Sequence, residues 1–236
     1  MVLEFFVGSG GSHDNRSCAG LDRWIRLPQN DPTAKDAEVT NPDWRISPWT
    51  SDWYNLQPWE EKVSGNFYDV VFDRRYGGDL EGVVDELPYL HKLGINAIYF
   101  NPLFESPSLH KYNTANYAHI DRDFGPDPKG DLKIMSEENP DDPSTWKWTA
   151  ADKEFLKLIK KAHSMGMREI IDGVFNHVGT DFWAFRNVEE YQKESPYKNW
   201  FDITSFNDPA KGSQGNQSEC AHHRRNLGRC RGLAEK

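Results

Sequence analysis

The stretch MREIIDGVFNHVGTDF, residues 167–182, decides the fold class. Ile170, Ile171, Val174 and Phe175 are apolar and favour strands, so the run reads as a buried strand that closes on Asn176 and His177. Asp172 interrupts the apolar residues. A carboxylate in such a place costs several kcal/mol unless it is paired, roughly as for any buried unpartnered charge. Polar residues at the end of a buried strand therefore need a structural or chemical reason.

Working outward, a helix precedes this strand. Thr149 and Asp152 have capping-box spacing, Phe155, Leu156, Ile159 and Ala162 form an apolar stripe, and Gly166 supplies a stop. The same order occurs upstream. In LEGVVDELPYLHKLG, residues 80–94, Leu80, Val83, Val84, Leu87, Leu90 and Leu93 keep helical spacing; Pro88 kinks or restarts the helix, and Gly94 ends it. The strand INAIYFNP, residues 95–102, follows. Helix, strand, long loop, helix, strand implies parallel strands joined by helical crossovers, an α/β fold. The segment from Asn101 to Thr149 reads as one long loop, and ligands in parallel α/β folds sit at the carboxyl ends of strands.

The bulk properties narrow the function. The 236 residues carry 28% charged side chains and a formal net charge of -9, with a pI near 5.4 and mean hydropathy of -0.80. That balance argues against a nucleic-acid partner, and no apolar run is long enough to span a bilayer. Cys18, Cys220 and Cys230 have no metal-site spacing and define no disulfide framework. The opening MVLEFFVGSGG lacks the basic flank of a secretory leader, so no compartment is assigned. Of nine tryptophans, six cluster as Trp44, Trp49, Trp53 and Trp59, then Trp146 and Trp148. Indole faces stack on sugar rings, but the plainer reading is that these rings anchor long loops through buried area.

Four stretches resemble the α-amylase family of glycoside hydrolases, in particular its neopullulanase and cyclomaltodextrinase-like branch. They are YGGDLEGVVDELPYLHKLGINAIYFNPLFESPS (76–108), HKYNTANYAHIDRDFG (110–125), DGVFNHVG (172–179) and SPYKNWFDI (195–203). The resemblance implies a partial (β/α)8 barrel comprising its first three or so βα units, with long strand-end loops. A whole lean barrel takes about 250 residues. It also implies a division into residues 1–29, irregular and outside the family pattern, residues 30–211, and an unrelated basic tail at 212–236. The start of the family's protruding loop domain falls near 178–211.

By the same resemblance the chain acts on α-linked glucose oligosaccharides or polysaccharides, with retention. Tyr112 stacks on the sugar ring, Asp172 supports the site by hydrogen bonding, and His177 contacts the sugar. Calcium is the implied cofactor. Asn176 matches one ligand; Asn30, Asp31, the Gly77 carbonyl and Asp79 match a second site, and their oxygens suit that hard cation. The family's opening strand has CAGLDRWIRLPQ (18–29) in its place, and no Arg-x-Asp, the family's nucleophile motif, follows His177. The chain alone is therefore expected to be inactive. The alternatives are a non-catalytic sugar-binding or partner-assembly protein, and a split enzyme completed by a C-terminal half from another chain.

Overall fold

The structure, a computed structural model, describes the backbone of residues 2–5 and residues 37, 39, 41–48, 52, 54–203 and 205–206, without the Phe72 side chain. Three parallel strands form its main sheet in the order β1 (Val2–Phe5), β2 (Ala97–Phe100), β5 (Arg168–Ile171). Ala97 pairs with Val2 on one side and Arg168 on the other, and Phe100 with Phe5 and Ile171. Residues 1–29 thus contain a strand where the sequence reading had irregular chain. Four residues are too few for a period-2 pattern to register, and β2 supplies the partner that fixes them. The neighbour of β2 comes from Val2–Phe5 and not from residues 18–29, which lie outside the described residues, as does the tail 212–236.

The crossovers carry the core. Before them come two one-turn helices, α1 (Pro58–Glu61) and α2 (Phe67–Val70). α3 (Leu80–Lys92) then leads into β2. Most of the apolar stripe expected for α3 is buried: Leu80, Val83, Val84, Leu87 and Leu90 pack with Ile98 and Phe100 of β2, while Leu93, the C-cap, is exposed. α3 runs unbroken through Pro88. Pro88 is exposed, so the loss of its helical N–H bond falls on the solvent side. Gly94 adopts φ +82 and Gly166 φ +74, the left-handed conformation that only glycine takes without strain, and both end their helices as expected.

The segment read as one long loop is largely ordered. β3 (Phe104–Glu105) and β4 (Asn116–Ile120) pair antiparallel. α4 (Pro128–Ser136) follows, capped by Asp127 on Gly130 N. α5 (Ala150–Ser164) opens on the anticipated capping box, with Thr149 accepting from Asp152 N and Asp152 accepting from Thr149 N. Phe155, Leu158 and Ala162 of α5 join the core, Phe155 meeting Phe100 edge-on at 6.0 Å. α6 (Trp183–Tyr191) lies beyond β5. Local sequence underestimates such segments because β3 has two residues and α4 buries only Asp131, so neither shows an apolar pattern.

β5 itself departs from expectation. It is shorter than the stretch suggested, ending at Ile171, and it is not a buried strand: Ile170 and Ile171 are 43% and 40% exposed. Among the described residues β5 pairs with β2 alone, so it is the sheet edge. Its Glu169 is turned inward, with a side chain 6% exposed that meets His163 at 2.8 Å. Among the described residues no helix is long and apolar enough to cross a membrane.

Candidate functional site

Adjacent parallel strands end together, so the chain following β2 meets the chain following β5 at one edge of the sheet. Asp172 is the first residue past β5, and its N–H donates to Phe100 O at 2.9 Å, one step beyond the last paired residues. The carboxylate that looked awkward inside a strand is therefore outside it and half-buried. Its Oδ2 accepts from the Tyr112 hydroxyl at 3.1 Å, a bond between residues 60 positions apart. This is the pairing that offsets the burial cost of the carboxylate. The structure thus brings together two of the three residues marked for sugar contact.

His177 lies five residues further on, half-buried, with Nδ1 3.2 Å from Asn176 Oδ1. The loop carrying it is fixed by Tyr117 of β4, whose hydroxyl donates to the carbonyls of Val174 and His177. Tyr117 packs among Phe104, Phe175 and Phe182 at 5.5 to 6.0 Å, and burial raises its pKa. Gly179 N donates to Thr114 O at 2.9 Å and closes the contact between the two loops.

Tyr112 is itself held from below. Lys111 sits at φ +58, an uncommon conformation for a residue with a Cβ. Its buried ammonium meets Asp121 Oδ2 at 2.9 Å and Ser106 O at 3.1 Å. Asp121 also accepts from Ser106 N at 2.9 Å, tying the ends of the β3–β4 ribbon together. Beside it, buried Glu105 pairs with Arg122. Burial, then the Asp121 carboxylate, push the Glu105 carboxyl up to about 8, against the opposing pull of Arg122 and Lys111. Sequence reading missed Lys111, Tyr117 and Asp121 as positioning residues. They lie in the stretch already singled out at 110–125, but their role rests on contacts made across the fold.

Of the proposed metal ligands, the structure describes Gly77, Asp79 and Asn176. Asn30 and Asp31 lie outside the described residues. Gly77 has φ +72 in the turn before α3, and Asp79 is the N-cap of α3, its Oδ1 accepting from Gly82 N at 2.8 Å. Asn176 is exposed on the loop after β5. Among the described residues no group of three or more His, Cys, Asp or Glu is placed to hold a metal. The described donors do not by themselves fit a calcium ion, which takes six to eight oxygens.

The chain resembles known proteins. The family model for the α-amylase catalytic domain matches residues 33–140 and 149–226. The match runs past the boundary placed at 211 and leaves out the stretch 141–148. The chain belongs to the α-amylase family. It is 43% identical over 134 residues to neopullulanase 2 of Thermoactinomyces vulgaris, covering 57% of this chain and 19% of that protein. It is 41% identical over 173 residues to a cyclomaltodextrinase of Geobacillus thermopakistaniensis, covering 67% and 25%. Among solved structures, the type III pullulan hydrolase of Thermococcus kodakarensis aligns over 87% of this chain and 28% of its own, with TM-score 0.50 and 26% identity. The cyclic α-maltosyl-(1→6)-maltose hydrolase of Arthrobacter globiformis, in complex with maltose, aligns over 89% and 33%, with TM-score 0.53 and 23% identity, a likeness of fold. The chain spans about a fifth to a quarter of the length of these curated relatives.

Proposed function

We propose that this chain forms the sugar-contacting part of an α-glucan-acting glycoside hydrolase, an arc of the first three or so βα units of a (β/α)8 barrel. The observation that carries the reading is the Tyr112–Asp172 hydrogen bond, which joins the loops after β2 and β5 and sets an aromatic ring beside a carboxylate at the strand ends. Tyr112 offers a face for a glucose ring, and Asp172 and His177 offer hydrogen-bonding groups to its hydroxyls. Relatives named for pullulan and cyclomaltodextrin support α-linked glucans as the ligand class.

Retaining hydrolysis needs a nucleophile and an acid/base roughly 5–5.5 Å apart. Glu105 and Asp121 are near one another, but Asp121 is ion-paired with Lys111 and Glu105 is buried against Arg122 with its carboxyl pushed up to about 8, which gives them a structural role. The chain alone is proposed to bind α-glucan without cleaving it. Calcium stays a proposal for the loop containing Asn30 and Asp31 with the Gly77–Asp79 turn, and no step depends on it.

Purified chain incubated with maltoheptaose or β-cyclodextrin, followed by chromatography of the products, tests the reading. No new products are expected, while titration calorimetry with maltoheptaose gives a binding heat that Tyr112→Ala reduces. Released shorter sugars would overturn the inactivity. Binding unaffected by Tyr112→Ala would overturn the site.

A further inference from the structure

Trp49 and Trp53 lie outside the described residues, and the other clustered tryptophans differ in burial. Trp44 and Trp59 are buried, and Trp44 Nε1 donates to Asp73 O at 2.9 Å, so these two anchor their loop as the plainer reading holds. Trp146 and Trp148 are 40% and 62% exposed. They fall in DDPSTWKW, residues 141–148, the stretch between the two segments that match the family. The common scaffold therefore does not account for them, and burial does not either.

This stretch is braced. Asn139 N donates to Thr145 Oγ1 at 2.9 Å, and Asp142 caps the turn at Pro143–Thr145. Trp146 Nε1 donates to Asn139 O at 3.2 Å, which fixes one edge of that indole. At its base, buried His119 of β4 lies between Glu138 at 2.7 Å and Asp152 of α5 at 2.8 Å. On its far side the Tyr197 hydroxyl meets Asp141 Oδ2 at 3.0 Å. Tyr197 packs edge-on against Trp183 and Trp200 at 5.0 and 5.1 Å, and Trp200 is itself exposed. An exposed indole fixed at one edge, as Trp146 is, loses little freedom on binding a ligand.

Charge selects the ligand. Glu137, Asp141 and Asp142, none of them buried, lie close to the two indoles in sequence, with Lys147 the basic residue among them; the Glu138 side chain is buried against His119. An anionic partner such as nucleic acid or an acidic membrane is repelled. A neutral ligand with flat apolar faces and many hydroxyls fits both the rings and the polar rim, and that describes a glucan chain.

We propose that residues 137–148 form a second α-glucan-binding platform, centred on Trp148 and Trp146 and separate from the strand-end site. The ligand class rests on the function proposed above. Affinity electrophoresis of the full chain through gels containing glycogen tests it, with hydroxyethylcellulose and no-polymer gels as controls and far-ultraviolet circular dichroism to confirm folding. Glycogen retards the wild-type chain, and Trp148→Ala weakens the retardation about tenfold in apparent Kd, the loss typical of an aromatic anchor. Trp148→Phe, which keeps a ring, recovers part of it, and Tyr112→Ala leaves a retardation that the Trp148→Ala, Tyr112→Ala double variant removes. Retardation unchanged by Trp148→Ala but lost in Tyr112→Ala overturns the platform and leaves the strand-end site standing. Retardation lost in Trp148→Ala but unchanged by Tyr112→Ala upholds the platform and overturns the strand-end site. Wild-type chain that glycogen does not retard, or that hydroxyethylcellulose retards equally, overturns the platform as an α-glucan site.

Discussion

Gly179 is where the candidate site tolerates least change. A Cβ built there would stand 2.3 Å from Asn113 O, a backbone atom that cannot turn aside. Gly179→Ala must separate the loops joined by the Gly179–Thr114 hydrogen bond, and should cost about 1–3 kcal/mol in urea unfolding, as overpacking does elsewhere. Gly173 is the control. Its Cβ would meet only the ring of Phe175, an exposed side chain able to swing away, so Gly173→Ala should cost less. Lys111 poses the opposite case, because removal leaves Asp121 buried without its ammonium. Lys111→Met should destabilise by about 3–5 kcal/mol in the same assay, the range for breaking one half of a buried pair.

That Asp172, Asn176 and His177 lie near the end of a strand was legible from the apolar run, while their proposed roles rest on the family resemblance. The partners Tyr117, Lys111 and Asp121 were not legible, since a hydroxyl reaching a carbonyl 60 residues away leaves no local trace.

At the scale of elements, His119 joins β4 to α5 and to the tryptophan-bearing loop. Burial alone would lower its pKa, but hydrogen bonds from Asp152 and Glu138 outweigh burial and raise it, while Asp152 is lowered against its own burial by His119 and the backbone N–H groups of Ile120 and Thr149. The groups facing His119 are these two carboxylates, with Lys147 N bound to the other Glu138 oxygen. A raised histidine stabilises fully below its unfolded value near 6.5 and loses that contribution as pH rises through the folded value. The lowered Asp152 stabilises above about 3.8 and fails only as pH falls through its folded value. Amide exchange in residues 137–148 should therefore quicken as pH rises above 6.5, after correction for intrinsic rates. His119→Gln should flatten that rise. Glu105, raised to about 8, loses stability in the same direction between its unfolded 4.5 and that value, but in β3, so the exchange map separates the two. The helices α3 and α5 were legible down to their stops because each carries a full apolar period and a cap. β3, α4 and the ordered turn at 137–148 were not, because their stability comes from neighbours.

At the scale of the molecule, β5 presents a free edge among the described residues, with Ile170, Ile171 and Phe175 exposed. Unpaired edges with apolar side chains promote association. Sedimentation velocity across a concentration series should show self-association of the chain, reduced by Ile171→Lys, since edge lysines oppose pairing. A strictly monomeric wild type would contradict this.

The sequence by itself determined the α/β class, the two helix–strand units and the family, because apolar periodicity, caps and short motifs are local properties of the chain. Tertiary structure alone decided that Val2–Phe5 stands beside β2, that the end of β5 is an exposed edge, that Tyr112 meets Asp172, and that Trp44 and Trp59 are buried while Trp146 and Trp148 are not. Each of these depends on what lies beside a residue in space, and burial and pairing are set by distant chain that no local pattern records.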